Sequence, residues 1–240
     1  MRVIELWRYP VKSLQGEQLE SVAATPDGLE GDRRYAIYDT VTGFGLTARR
    51  VPELLFASAR LRDDGGVDIT LPDGSAARTD DDLSGWLGRA VALRSVQADV
   101  PRRYEGVIDF EHEPTSEWEE FDGAVGAFHD SAEARVSLVS SATIGDWDRR
   151  RFRANVLLDG EGEDALVGAR VGVGDAVIDV GIKLERCVMT TRAQPDGIER
   201  DLSVLRTIAR ERDACLAVGA LVCKPGVMQV GDALDAAPPG

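Results

Sequence analysis

The sequence predicts a β-rich α+β fold, a barrel or sandwich with a few short helices. Three observations lead there. Apolar residues alternate with polar ones over many runs of about four to eight residues, the signature of half-buried strands. Turn signals drawn from 25 glycines and 10 prolines separate these runs. Only residues 201–212 carry a long apolar stripe at helical spacing, made by Leu202, Leu205, Ile208 and Ala209.

In chain order, strands are expected over 3–9, 19–24 and 35–39. Pro10 and Gly16 separate the first two, because proline lacks a ladder donor and glycine permits a turn. Thr42-Gly43 turns the chain into a return strand over 44–47. Strands over 54–61 and 67–71 come next, the latter running into a Pro72-Asp73-Gly74 hairpin turn. Asp80, Asp81 and Asp82 open a short helix over 84–87, since a helix N-terminus favours negative charge. A strand over 91–96 follows. Residues 99–126 read as a long acidic loop with a short helix at 116–121. A strand over 136–139 leads into a short helix, with a serine hydroxyl placed for its N-cap. The run from Phe152 enters a strand ending at 158. Residues 171–180 read as a strand with a glycine bend, and a further strand ends near Cys187. After the 201–212 helix come strands over 217–223 and 227–234. Val173-Gly174-Asp175-Ala176-Val177 is echoed by Val230-Gly231-Asp232-Ala233-Leu234, which reads as two similar turn–strand units.

Composition excludes several classes of function. A net charge of -14 is poorly suited to nucleic acid or to an anionic membrane surface, both of which need Lys and Arg in excess. An anionic ligand would require cations gathered locally against the global field. Cys187, Cys215 and Cys223 are odd in number and lack paired spacing, against a disulfide framework or a four-cysteine zinc site. His112 and His129 form no helical metal pair. No apolar run approaches the ~18 residues of a membrane span. The first residues are charged and strand-like rather than leader-like. Together these features are those expected of a soluble protein in a reducing cytoplasm.

Three breaks between strands pair a cation with hydrogen-bonding neighbours: Lys12 with Ser13, Arg33 after Gly31-Asp32, and Arg153 with Asn155. Lysine offers a point charge, and arginine a planar fork suited to phosphate. Cys187 follows Arg186 near a strand end, where positive charge favours the thiolate that binds soft metals. Read locally, Cys187 equally suits a buried core thiol. Asp196 could act as a general acid, although its Pro-Asp-Gly setting is also explained by turn chemistry.

Tyr-Pro-Val-Lys-Ser at 9–13, Gly-Asp-Arg at 31–33, Thr-Ala-Arg at 47–49, Phe-Arg-x-Asn at 152–155 and Arg-Cys-x-x-Thr-Thr at 186–191 occur in one order. In this the chain resembles the MOSC-domain family with its N-terminal β-barrel domain, which includes the mitochondrial amidoxime-reducing component and bacterial relatives. The resemblance implies a MOSC-type β-barrel with an N-terminal barrel-like or mixed subdomain. It divides the chain into 1–120, 121–236 and a tail at 237–240, with the first strands available to complete the C-terminal barrel. It also implies a bound molybdenum cofactor, with Cys187 as metal ligand. Lys12, Ser13, Arg33, Ser140, Arg153, Asn155 and Arg186 would contact that cofactor. The implied activity is reduction of N-hydroxylated compounds, such as amidoximes and hydroxylamines, to amines. The alternative is a non-catalytic carrier of the cofactor or of sulfur. Within these 240 residues there is neither a ferredoxin-like domain nor a pyridoxal-phosphate sulfurase domain, so electrons are expected from a separate reductase, ferredoxin-like or cytochrome-like partner. The chain departs from the amidoxime reducers at Ala154, where they usually carry proline, and after Thr191.

Overall fold

The structure is a computed structural model and describes residues 1–236; the expected tail at 237–240 lies outside the described residues. The first half of the chain holds β1 (Val3–Arg8), β2 (Glu17–Leu19), β3 (Ser21–Thr25), β4 (Gly28–Leu29), β5 (Tyr35–Asp39), β6 (Ser58–Leu61), β7 (Val67–Thr70), β8 (Ala76–Ala77), α1 (Asp80–Leu87) and β9 (Val91–Ser95). A hairpin of β10 (Arg103–Val107) and β11 (Trp118–Asp122) follows. The second half holds β12 (Val136–Ser140), α2 (Ser141–Ile144), β13 (Val156–Leu158), β14 (Arg170–Val173), β15 (Ala176–Glu185), α3 (Leu202–Arg212), β16 (Cys215–Lys224), β17 (Gly226–Gln229) and β18 (Leu234–Ala236).

The main sheet runs β18-β14-β15-β16-β12-β13-β1-β2. It curls into a half-barrel, and its far reaches meet where Arg2 bridges Ala233 and Leu234 N donates to Met1 O at 3.0 Å. The N-terminal strand β1 is therefore a stave between β13 and β2. Alternation supplies the interior: Val136 and Leu138 of β12, Val156 and Leu158 of β13, Ile178 and Val180 of β15, and Val218 and Ala220 of β16. The opposite parity of the same strands gives an outer wall. There Val139, Leu157 and Ala217 pack with Val204 and Ile208 of α3.

A smaller lobe is built from β5 with β9, from β6-β7-β8, and from α1. Its core gathers Val11, Leu14, Ile37, Leu54, Ile69 and Leu83. Thr79 caps α1 in a reciprocal box with Asp82, which starts the helix earlier than 84. The segments at 9–13 and 31–35 zip together through Lys12 N to Tyr35 O (2.8 Å), Tyr35 N to Pro10 O (2.9 Å) and Arg33 N to Tyr9 O (2.8 Å).

Several elements differ from expectation. Residues 54–61 are not one strand: a 3-10 turn at Pro52–Phe56 precedes β6 and buries both Leu54 and Leu55, which alternation forbids. The expected helix at 116–121 is absent: Trp118–Asp122 is strand β11, and the middle of the long loop is a hairpin. Tyr104 faces Phe121 across it with ring centroids 5.6 Å apart, and Arg103 Nη2 reaches Glu120 at 2.7 Å. Residues 44–47 form no named strand, only a bridge between Tyr38 and Gly45. The expected 171–180 strand is the β14–β15 hairpin, turned at Gly174 with φ 56°. The expected 227–234 strand breaks at Gly231 with φ 96°. These two echoed turns abut: a Cβ on Gly174 would lie 2.4 Å from Asp232 Oδ2. Only glycine allows that approach.

Candidate functional site: a cationic cleft at Cys187

Outside the barrel wall, at the seam with the smaller lobe, lies a cleft of about 500 Å³. Seven cations line it: Lys12, Arg33, Arg49, Arg135, Arg153, Lys183 and Arg186, against only Asp130, Glu133 and Glu185. This local excess of positive charge sits in a chain whose net charge is -14.

Each motif enters from a break between strands. Strand parity decides which side chains reach in. Ser137 lies opposite in parity to Val136 and Leu138, and Asn155 opposite to Val156, so both face the cleft. Asn155 Oδ1 accepts from Ser137 N (3.1 Å) and Ser137 Oγ (2.9 Å), and Nδ2 donates to Trp7 O (3.1 Å). Arg33 bonds Asp32 and donates to Arg153 O at 3.3 Å. Asp32, 2% exposed, also accepts from Tyr9 N at 2.7 Å, tying the first two motifs. Arg153, 5% exposed, donates to Leu14 O at 2.5 Å and lies 4.3 Å from the Tyr9 ring centroid. Burial brings Arg153 down to about 10, with Tyr9 opposing and Arg33 adding to the shift.

Ser13, Arg33 and Arg153 all adopt left-handed backbone, with φ of 69°, 48° and 51°. For residues other than glycine this costs roughly 1 kcal/mol or more each. Three strained residues converging on one cleft show that the surrounding structure holds them there.

Lys12 Nζ donates to Phe128 O at 2.9 Å and contacts Asp130, which also pairs with Arg49 at 2.8 Å. Burial pushes Lys12 down to about 8; Asp130 opposes this and Arg49 adds to it. Burial would raise Asp130, yet Arg49 and Lys12 outweigh it and hold the carboxyl well below its usual range.

Cys187 follows β15 and opens a 3-10 turn at Val188–Thr191. Its carbonyl accepts from Thr190 N and Thr190 Oγ1, both at 3.0 Å. Arg49 and Arg186 flank the thiol. Burial works against the charge on Arg49, but Asp130 and Cys187 hold its guanidinium above the ordinary value. Burial lowers Arg186, with Cys187 opposing. Arg186 donates to Phe152 O, while its Nε is buried without a partner. Behind the loop, buried Arg151 donates to Thr190 O (3.2 Å), Arg192 O (3.2 Å) and Glu199 O (2.8 Å). Arg192 pairs with Glu113 from the β10–β11 connection at 2.7 Å, so that acidic loop docks within the molecule.

Lys12, Ser13, Arg33, Arg153, Asn155, Arg186 and Cys187 are thus brought together. Two expected residues are not. Ser140 shares the parity of the core-facing Leu138; it is fully buried, caps α2 and donates to Glu163 at 2.6 Å. The serines on the cleft are Ser13, Ser131 and Ser137. Asp196 lies outside the cleft with 79% of its side chain exposed, pairing with Arg150 at 2.8 Å. Its φ of 59° serves the turn. Arg49, His129, Asp130 and Ser137 join the site without having been singled out. Arg49 stood in the Thr-Ala-Arg motif, and His129-Asp130 placed one of only two histidines beside an acid.

Among the described residues, no cluster of three or more His, Cys, Asp or Glu could hold a metal by itself. A metal at Cys187 would need most of its ligands from a bound group. An anionic cofactor carrying its own sulfur donors fits this cleft: the cations suit its charge, and the unpartnered Arg186 Nε offers it a donor.

The fold and the site define a class: a half-barrel with a cationic cleft at one cysteine, closed on one side by a second lobe. Residues 1–97 match the MOSC N-terminal beta barrel domain and residues 125–235 match the MOSC domain, and the chain belongs to the MOSC-domain family. Three solved structures show more distant likeness. The YUAD protein from Bacillus subtilis is 10% identical, with a TM-score of 0.44 over 97% of this chain and 93% of that one. YiiM from Geobacillus stearothermophilus is 16% identical, with a TM-score of 0.36 over 50% and 67%. A hypothetical protein is 12% identical, with a TM-score of 0.44 over 98% and 67%. No curated protein matches the chain. MOSC domains are associated with molybdenum-cofactor binding. No described helix is long and apolar enough to cross a membrane.

Proposed function

We propose that this chain is a cytoplasmic molybdenum oxidoreductase that reduces N-hydroxylated compounds to amines, with electrons from a separate redox protein. The carrying observation is the cationic cleft closed by a single cysteine between two guanidinium groups. Lys12, Arg33 and Arg153 hold the anionic cofactor by charge, and the Ser137–Asn155 pair forms a polar wall beside it. Arg49 and Arg186 place positive charge beside Cys187, the residue that would ligate the metal. Thr190, bonded to the Cys187 carbonyl, and Arg151, bonded to the loop carbonyls, fix the direction of the thiol. The cofactor, when bound, supplies a molybdenum centre able to take up an oxygen atom and cycle between oxidation states.

The test is metal analysis of protein from a molybdenum-replete host. Wild type is expected to carry molybdenum and Cys187→Ala to lose it; equal content in both overturns the ligand assignment. Loaded protein with an artificial electron donor is expected to reduce benzamidoxime. Full loading without turnover would instead favour a carrier of the cofactor or of sulfur.

A further inference from the structure

We propose that His129 contacts the oxyanion end of the ligand in the cleft directly and takes up a proton when that anion binds. The inference rests on reading the cleft as the seat of an anionic, phosphate-bearing group.

The starting observation is an unsatisfied atom. His129 lines the cleft, is 6% exposed, and its Nε2 is buried with no hydrogen-bond partner. A buried polar nitrogen without a partner is costly, and native structures seldom leave one without a reason. The residues on either side are clamped. Lys12 holds Phe128 O at 2.9 Å and also bonds Asp130, while Arg49 pairs with Asp130 at 2.8 Å. Phe128 N donates to Arg33 O at 2.8 Å. The backbone carrying the imidazole is therefore held at the cleft wall by Lys12, Arg33 and Arg49.

Charge explains the protonation. The groups facing His129 are the cations Arg33, Arg135 and Lys12, and the carboxylate Asp32. Asp130, the next residue, is already committed to Lys12 and Arg49. Burial, and then Arg33, push His129 down to about 3 against the opposing Asp32, so the ring is neutral in the ligand-free cleft. A neutral imidazole can donate one N–H to an oxygen. A dianion placed among the same cations reverses the local field and favours the imidazolium, which donates a stronger, charge-assisted bond. The proton comes from solvent, and anion affinity rises as pH falls through the bound-state pKa.

The sequence makes a direct test simple, because His112 and His129 are the only histidines. The His112 side chain is 73% exposed, pairs with Asp109 on the β10–β11 connection, and serves as internal reference. Imidazole NMR signals of the wild-type full chain are followed while sulfate is added at about pH 6. Sulfate stays dianionic there, so proton uptake reports on the protein. The His129 signals are expected to shift and to titrate at higher pH with sulfate bound, while those of His112 stay in place. Calorimetry in two buffers of different ionisation enthalpy is expected to show proton uptake at this pH, where Lys12 is already charged. His129→Gln is expected to abolish that uptake and to weaken sulfate about tenfold. Saturable binding with unmoved His129 signals overturns this inference and leaves the cleft reading standing. Failure of wild type to bind sulfate or pyrophosphate overturns both. Loss of molybdenum in Cys187→Ala tests the metal assignment independently of either result.

Discussion

Behind the Cys187 loop, Arg151 commits its guanidinium to the carbonyls of Thr190, Arg192 and Glu199. In front of the same loop, Arg186 bonds one carbonyl, that of Phe152, and its buried Nε has no partner. Both arginines lie within a few ångströms of the same short turn, yet their hydrogen bonding differs. The rear guanidinium is satisfied by protein and acts as a brace. The front one retains unused donor capacity and faces a cavity. A residue type and its place in a motif therefore do not assign a role; the inventory of partners does.

Arg151→Met should have the largest effect. It strips three carbonyls of their donor and is expected to cost about 3 kcal/mol of stability, read by thermal or denaturant unfolding. An unchanged melting temperature would break the contrast. Arg186→Met should spare the fold, changing ligand-free stability by within about 1 kcal/mol, since burial already opposes its charge. The same variant is expected to lower cofactor retention about tenfold, measured as molybdenum left after dialysis. Equal loss of stability in both variants would mean that the front arginine is also a brace.

A smaller effect comes from Lys12. Its folded-state value, about 8, lies below the ordinary lysine value of 10.5, and burial is the main cause. Between those values the unfolded chain keeps a proton that the folded chain has lost, so the ligand-free fold gains stability as pH rises across that window. Over the same rise the cleft loses a cation. Affinity for sulfate is expected to fall as pH passes about 8, and Lys12→Arg to flatten that dependence. A flat wild-type profile would place Lys12 outside the ligand's field.

Much of the site was legible because it is built from turns. Pro10 and the glycines mark the strand breaks, and a cation with a polar neighbour at each break is visible in the sequence. The order of those motifs pointed to the MOSC-domain family, and the half-barrel followed. Ser140 lies off the cleft because the parity of β12, which composition does not reveal, turns Ser137 outward and Ser140 toward the core side. The β10–β11 hairpin reads as loop in the sequence because its acidic residues hide the cross-strand pairing of Tyr104 with Phe121.

Arg149, Arg150, Arg151 and Arg153 show the limit most plainly. Arg149 stacks 3.5 Å from the Trp7 ring centroid, Arg150 pairs with Asp148 and Asp196, Arg151 braces the Cys187 loop, and Arg153 lines the cleft. By itself the sequence determined where the chain turns, which cations stand at the turns, and the family those turns define. Backbone preference is set by the residue and its near neighbours, so these features need no long-range information. Only the tertiary structure decided which arginine braces the loop and which faces the cleft, which serines line it, and that His129 Nε2 is left without a partner. Those outcomes depend on strand parity and on groups distant in sequence: Arg153 is bonded across 139 positions to Leu14, and Lys12 across 116 to Phe128.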